Sequence, residues 1–358
     1  MKQHTFSLQK ARLRHTYRTR LQPDESICCF TPAYIENAYQ WLIHQRRHYP
    51  DNADVWDLRF HWPQVWERIL SAVNSGSYIL SPLQIIRKAT GETLALWSSS
   101  DALVLKMLTG VLETQLPVHP QCDHVRGNGG GRKSVLRTDR HLREQRAPFV
   151  FRTDIKSYYA TIDKSRLYDQ LCRHVSHPVL RNLLWQFLHY SVEQGGKFHT
   201  PRRGISRGSA LILLLAAFHL YAVDSNFEKQ QPLVRYARYM VDFLILAPTR
   251  WSLRLAGRDL KRLMAEYGFT LHPDKTQLGY TARGFDWMGL WFTQAGMQAI
   301  APAPETNTVN ALFRAATHAM LRWARKQGVE VGISCALHTY GRQLNQHPHV
   351  HVSVTLNK

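Results

Sequence analysis

Apolar residues along the chain follow two rhythms. In VRYARYMVDFLILA, residues 234–247, two runs at strand spacing flank Met240–Val241–Asp242, which predicts a strand, a tight turn and a second strand. FVFRTDIKSYYATID, residues 149–163, opens with a further strand that ends at Asp154 and then turns into a helix. Asp154 and Asp242 can meet only if these strands pair in one sheet. The functional reading rests on that expectation.

Helical spacing fills the intervals. Residues 21–75 suit two or three helices, broken at Pro50 and Pro63, with Trp41, Trp56, Trp62 and Trp66 as anchors. At that spacing the tryptophans suit core packing better than base stacking. Residues 78–97 read as two strands joined at Thr90–Gly91, with Arg87 and Lys88 before the turn, in reach of a triphosphate or simply solvated. Ser100–Asp101 then caps a helix that Pro117 ends. An apolar helix is expected over 181–190. A Gly- and Arg-rich loop over 195–209 leads into a buried helix, SALILLLAAFHLYAV, at 209–223. A helix over 252–267, the turn HPDKTQLG and a strand pair, GFDWMGLWFT at 284–293, complete the pattern.

Length and charge narrow the function. A chain of 358 residues, 44% of them hydrophobic, can bury a large core and more than one subdomain. Lys and Arg number 46 against 26 acids, a formal net charge of +20, which predicts a polyanionic partner and nucleic acid first. No basic amphipathic anchor stands out, and the 209–223 run is too short to cross a bilayer, so no membrane role is expected. The five cysteines include no CxxC pair, which excludes a cysteine zinc site and a disulfide framework and favours a cytoplasmic setting. Positive charge gathers in RGNGGGRKSVLRTDRHLREQR, residues 126–146, and in PRRGISRG, residues 201–208. Arg126, Arg132, Lys133, Arg202, Arg203 and Arg207 are the candidate phosphate-backbone contacts. Gly127, Gly129, Gly130 and Gly131 let backbone approach a ligand, but without P-loop or dinucleotide spacing.

In this order the segments resemble the reverse transcriptases of bacterial group II introns and retrons, over residues of about 76–303. FRTDIKSYYATID resembles the first catalytic-acid motif, which makes Asp154 a metal ligand and Tyr159 the aromatic that screens out a ribose 2′-hydroxyl. RGISRGSALILLLAAFHLY resembles the motif that supports nucleotide and template, with Gly208 at the nucleotide. HPDKT places Lys275 near the triphosphate, FDWMGLWF resembles the primer grip, and RYMVDFLIL resembles the tyrosine–x–Asp–Asp box. Three departures accompany the match. Val241 replaces the box's first aspartate, leaving Asp242. Arg207 stands where glutamine is usual, and Leu94 where an arginine is usual.

The resemblance implies an α+β, right-hand polymerase of fingers and palm, with an antiparallel ferredoxin-like palm sheet and the thumb absent or replaced. The implied domains are a helical segment 1–75, the fingers–palm domain 76–303 and a C-terminal segment 304–358. It implies two-metal nucleotidyl transfer with Mg²⁺ or Mn²⁺ on Asp154 and Asp242. It also implies deoxynucleoside triphosphates, an RNA template and a DNA primer or an associated non-coding RNA. Valine supplies no oxygen to a cation that wants carboxylates, phosphates and water, so impaired activity is expected. The alternative is an inactive nucleic-acid-binding remnant fused to a transposase fragment.

That fragment begins near His338. LHTYGRQLNQHPHVHVSV resembles the HUH transposases of rolling-circle insertion sequences, and alternate strand residues put His349 and His351 on one face as vestigial metal ligands. Seven residues follow His351 and none is tyrosine, so the DNA-cutting nucleophile of that family is expected to be missing.

Overall fold

The structure, a computed structural model, describes residues 29–87, 93–125, 127–144, 147–231, 233–298, 330–338 and 349–357. These fall into two compact units, the larger reaching to Met288 and taking in Phe292–Gly296.

The larger unit opens with α1 (Pro32–Gln45), α2 (Asp54–Phe60) and α3 (Trp62–Asn74). Ile35, Leu42, Val55, Leu58, Ile69 and Val73 enter the main core, and Trp41, Trp56, Trp62 and Trp66 pack partly buried against it. Tyr39 stacks on Trp62 at 3.9 Å. The tryptophans are therefore packing residues. Strands β1 (Leu83–Arg87) and β2 (Thr93–Leu96) pair antiparallel. Helix α4 (Ser99–Leu112) starts earlier than the sequence predicts, because Ser98 is its cap and accepts the Asp101 N–H. Asp101 is freed to accept from the Tyr78 hydroxyl at 3.0 Å and the Ser81 N–H at 3.0 Å.

Helix α5 (Gly130–Arg143) carries the basic segment and leads to β3 (Phe149–Asp154). Then come α6 (Tyr158–Thr161), α7 (Lys164–Cys172), α8 (Pro178–Leu188), β4 (Val192–Gln194) and β5 (Lys197–His199). The sequence predicts a loop over 195–209, whereas Lys197–His199 pairs back on Val192–Gln194. Gly195 and Gly196 make the turn, both at positive φ. Strands β1 and β4 run parallel, so a small sheet of order β2–β1–β4–β5 forms.

The single apolar helix expected at 209–223 is two, α9 (Leu211–His219) and α10 (Tyr221–Glu228), bent by 47°. Where α9 ends, its last carbonyls lose their helical partners. Arg238 supplies two of them, donating to Ala216 O at 3.3 Å and Ala217 O at 3.1 Å.

Strands β6 (Arg235–Tyr239) and β7 (Asp242–Ala247), helix α11 (Arg250–Glu266) and β8 (Gln277–Tyr280) complete the larger sheet, of order β6–β7–β3–β8, antiparallel throughout. Phe243, Leu244, Ile245 and Leu246 are all buried. Strand β7 is thus covered on both faces, which explains an unbroken apolar run where a half-exposed strand would alternate. Helix α11 covers one face, Gly257 lying close against the Phe151 ring. Short strands β9 (Phe285–Trp287), β10 (Leu290–Thr293) and β11 (Gly296–Gln298) follow. In the smaller unit, β12 (Glu330–His338) and β13 (His349–Asn357) form an antiparallel pair.

Candidate functional site

Asp154 is the last residue of β3 and Asp242 the first of β7, and the two are register partners. Directly opposed residues of an antiparallel pair share a face, so both acids rise from one side of the sheet. Tyr239, the register partner of Asp242 on β6, shares that face. Asp242 therefore stands in the strand and not on the turn. The expected meeting of Asp154 and Asp242 across paired strands is what the register gives. Val241 sits in the turn, its carbonyl accepts the Ile155 N–H at 3.2 Å, and its side chain packs partly buried against the apolar core.

The Asp154 side chain is 9% exposed, and Lys275 Nζ donates to its Oδ2 at 2.9 Å. Its Oδ1 is buried without a hydrogen-bond partner. Lys275 arrives from the 3₁₀ turn Pro273–Lys275, which two bonds hold: the His272 N–H donates to the Asp154 carbonyl at 2.8 Å, and the Thr276 and Thr153 hydroxyls lie 2.7 Å apart. Two residues before Asp154 on the same face, buried Arg152 pairs with Asp286 at 2.7 Å.

Tyr159 lies in α6, five residues from Asp154, with the Arg207 guanidinium 5.3 Å from its ring centroid. Burial pushes the Tyr159 phenol up to about 12, against the pull of Arg207 and Arg238. The N–H of Ile205 donates to the Tyr159 carbonyl and that of Gly204 to the Ile162 carbonyl, each at 2.8 Å. The 204–208 loop is thereby pinned beside the aromatic. Gly208 is exposed, and a Cβ there would meet the Ala95 carbonyl at 3.0 Å. Arg202, Arg203 and Arg207 are exposed, as are Arg132 and Lys133 in the first turn of α5. Arg87 ends β1, while Lys88 and Arg126 lie outside the described residues. His349 and His351 alternate on β13, opposite His338 and Ala336, in a sheet separate from that of the acids.

A buried ion pair that no sequence pattern signals supports the acid-bearing hairpin. Arg238 and Asp224 are fully buried and paired through both guanidinium Nε and Nη2. The Tyr236 hydroxyl donates to Asp224 at 2.6 Å, and Arg238 Nη1 donates to the Met240 carbonyl at 2.9 Å. Arginine was visible in the strand, but its burial depends on a carboxylate from a different helix.

An α+β fold with two acids paired across one antiparallel sheet, a lysine reaching one of them from a 3₁₀ turn and basic loops nearby is an arrangement that suits the nucleic-acid polymerase class. More particularly, the model of the family described as reverse transcriptase (RNA-dependent DNA polymerase) matches residues 102–292, more than half of the chain, and the chain belongs to that family. A family described as putative transposase matches residues 332–356. The transposase for insertion sequence element IS801 of Pseudomonas savastanoi pv. phaseolicola is 57% identical over 47 residues, 13% of this chain. The match spans only 12% of that relative's length. Among solved structures, apo telomerase from Candida Tropicalis, truncated from its C-terminal domain, is similar over 65% of this chain and 60% of that one. The identity there is 12% and the TM-score 0.46.

The family's chemistry implies divalent cations. Asp154 Oδ1 is the kind of orphaned oxygen a cation would take, but Oδ2 already receives an ammonium and the valine side chain at 241 offers no oxygen. Among the described residues no three His, Cys, Asp or Glu side chains come together as a metal cluster. This donor set does not fit a two-ion centre, and no step through bound metal follows from it.

Proposed function

We propose that this protein keeps the template-, primer- and nucleotide-holding surfaces of a reverse transcriptase and has a crippled centre for nucleotidyl transfer. In this reading the larger sheet is a palm and the smaller one belongs to the fingers. Tyr159 screens the sugar, while Lys275 and Gly208 contact the nucleotide. Arg87 and Lys88 reach the triphosphate, and Arg126, Arg132, Lys133, Arg202, Arg203 and Arg207 follow the nucleic-acid backbone. The source is a bacterial mobile or defence element, and the C-terminal segment was acquired from an insertion-sequence transposase.

The observation that carries the reading is the rung of Asp154 and Asp242 with the oxygen-free side chain of Val241 at the hairpin tip next to it and Lys275 bonded to Asp154. In-line displacement by a 3′-hydroxyl uses two ions about 3.5–4 Å apart to stabilise the attacking and leaving oxygens. One acid bonded to an ammonium and one across from it leave such a pair short of ligands. Removing even an outer-shell partner of a metal typically costs about 10–100-fold, so loss of a direct ligand should cost more.

Primer extension on an RNA template with Mg²⁺ tests this, comparing the wild-type protein, Val241→Asp and the double variant Val241→Asp/Asp154→Asn. We expect strong extension by Val241→Asp alone. Equal extension by wild type and Val241→Asp would refute the account of the centre.

A further inference from the structure

Met240, at the tip of the acid-bearing hairpin, has a φ of 53°, in the left-handed region that a residue with a side chain enters at a cost. Such a conformation persists only where its surroundings hold it. Both backbone groups of Met240 are held: the N–H donates to His124 Nδ1 at 3.0 Å, and the carbonyl accepts from Arg238. The other ring nitrogen of His124, Nε2, lies 3.0 Å from the Leu213 carbonyl in α9. These partners assign the tautomer. Nδ1 faces an N–H and must accept, so Nε2 carries the proton and donates to the carbonyl. Burial lowers His124 to about 4, which keeps the ring neutral with one donor and one acceptor.

His124 is thus a two-ended link between segments 116 and 89 residues away in sequence. At one end is the Met240–Val241 turn that leads into Asp242. At the other is α9, the helix entered from the Arg207–Gly208 loop that packs against Tyr159. A histidine that merely filled the core would not spend both nitrogens on backbone groups of two elements, nor sit beside a residue 45% exposed, as Leu213 is.

We propose that His124 is a positioning residue of the nucleotide site, holding the turn of the acid-bearing hairpin in register with the helix behind the nucleotide loop. The proposal rests on the reverse-transcriptase reading for its nucleotide, and on the hydrogen bonds alone for the link. It concerns a residue outside every motif that the sequence displays.

Two variants separate the ends of the link. His124→Asn keeps a side-chain oxygen near the place of Nδ1 and loses the donor to Leu213; His124→Leu loses both. Hydrogen exchange of the 236–243 segment is measured by mass spectrometry. Binding of Mg²⁺–dATP is measured on protein bound to an RNA template and a dideoxy-terminated DNA primer, which prevents turnover. In His124→Leu we expect the Met240 amide to exchange about tenfold faster and dATP affinity to fall about tenfold. In His124→Asn we expect protection to return while dATP binding stays weakened. If His124→Leu does not fold, His124→Asn carries the test with that same split. Unchanged exchange and affinity, or exchange rising equally in every segment with overall stability, overturns the proposal. Absence of dATP binding by the wild-type protein overturns the parent reading instead. In that case unchanged protection of Met240 in His124→Leu overturns the link.

Discussion

Asp154 and Asp242 stand opposite each other on the last rung of the β3–β7 ladder, while the residue between Met240 and Asp242 is a valine packed against the core. One carboxyl group therefore faces another without the third oxygen-bearing side chain at the tip. Lys275, bonded to Asp154 Oδ2, balances one of the two negative charges.

Restoring the tip should make stability depend on metal. A ligand that binds only the folded state at 100 times its Kd stabilises by about 2.7 kcal/mol. Excess Mg²⁺ or Mn²⁺ is expected to raise the melting temperature of Val241→Asp by several degrees and to leave the wild-type protein unmoved. Differential scanning fluorimetry with and without a chelator checks this, and an equal rise in both would show that position 241 is irrelevant to cation binding.

The Arg238–Asp224 pair should be costly to break from one side. Both residues are fully buried, and removing one partner strands a charge in the interior. Arg238→Met or Asp224→Asn is expected to destabilise by about 3–5 kcal/mol in urea unfolding. The double variant should lose less than the sum of the two, because neither charge is then left alone.

Gly204 admits no side chain. Its φ is +81°, and a Cβ would meet the Tyr159 and Ala160 carbonyls at 2.8 Å. Gly204→Ala should cost about 1–3 kcal/mol through strain and backbone displacement. The displacement falls beside Tyr159, so a change in Tyr159 fluorescence or exchange that exceeds the global effect is the signature to look for.

Acid should destabilise the fold through two histidines. Burial lowers His124 to about 4, with Arg238 opposing and Asp224 favouring its charge. Burial lowers His219 to about 3, with Arg166 and Arg238 opposing and Asp163 favouring the charge. Both values lie below the ordinary 6.5, so on acidification the unfolded chain takes up protons first and stability falls with pH. The contribution is complete above about 6.5 and is lost progressively down to about 4 for His124 and 3 for His219. Between pH 7 and 5 each histidine should account for about 2 kcal/mol. Urea midpoints across that range check the sign, and His124→Asn should flatten the dependence.

Much of the architecture is legible in local pattern. The apolar runs around Asp154 and Asp242 mark β3 and β7, the helical repeat marks α11, and the basic surplus marks a polyanionic partner. The identity of residue 241 is likewise a fact of sequence, and a valine side chain offers no metal ligand wherever it lies. Other features are set over distances that periodicity does not sense. Ser98 caps α4 in place of Ser100, and 197–199 folds back as a strand. The long apolar stretch breaks where Arg238 can take up its carbonyls.

Residue order alone determined which strands carry acids, which loops carry charge, and that the tip of the hairpin lacks one carboxylate. Only the tertiary structure decided that Asp242 is the acid opposite Asp154, that Lys275 bonds to Asp154, and that Arg238, Asp224 and His124 hold the turn. The reason is physical. Side-chain spacing sets an element's type, but a shift of one residue in strand pairing moves every side chain to the other face. Which shift wins is settled by packing and buried hydrogen bonds between segments remote in sequence.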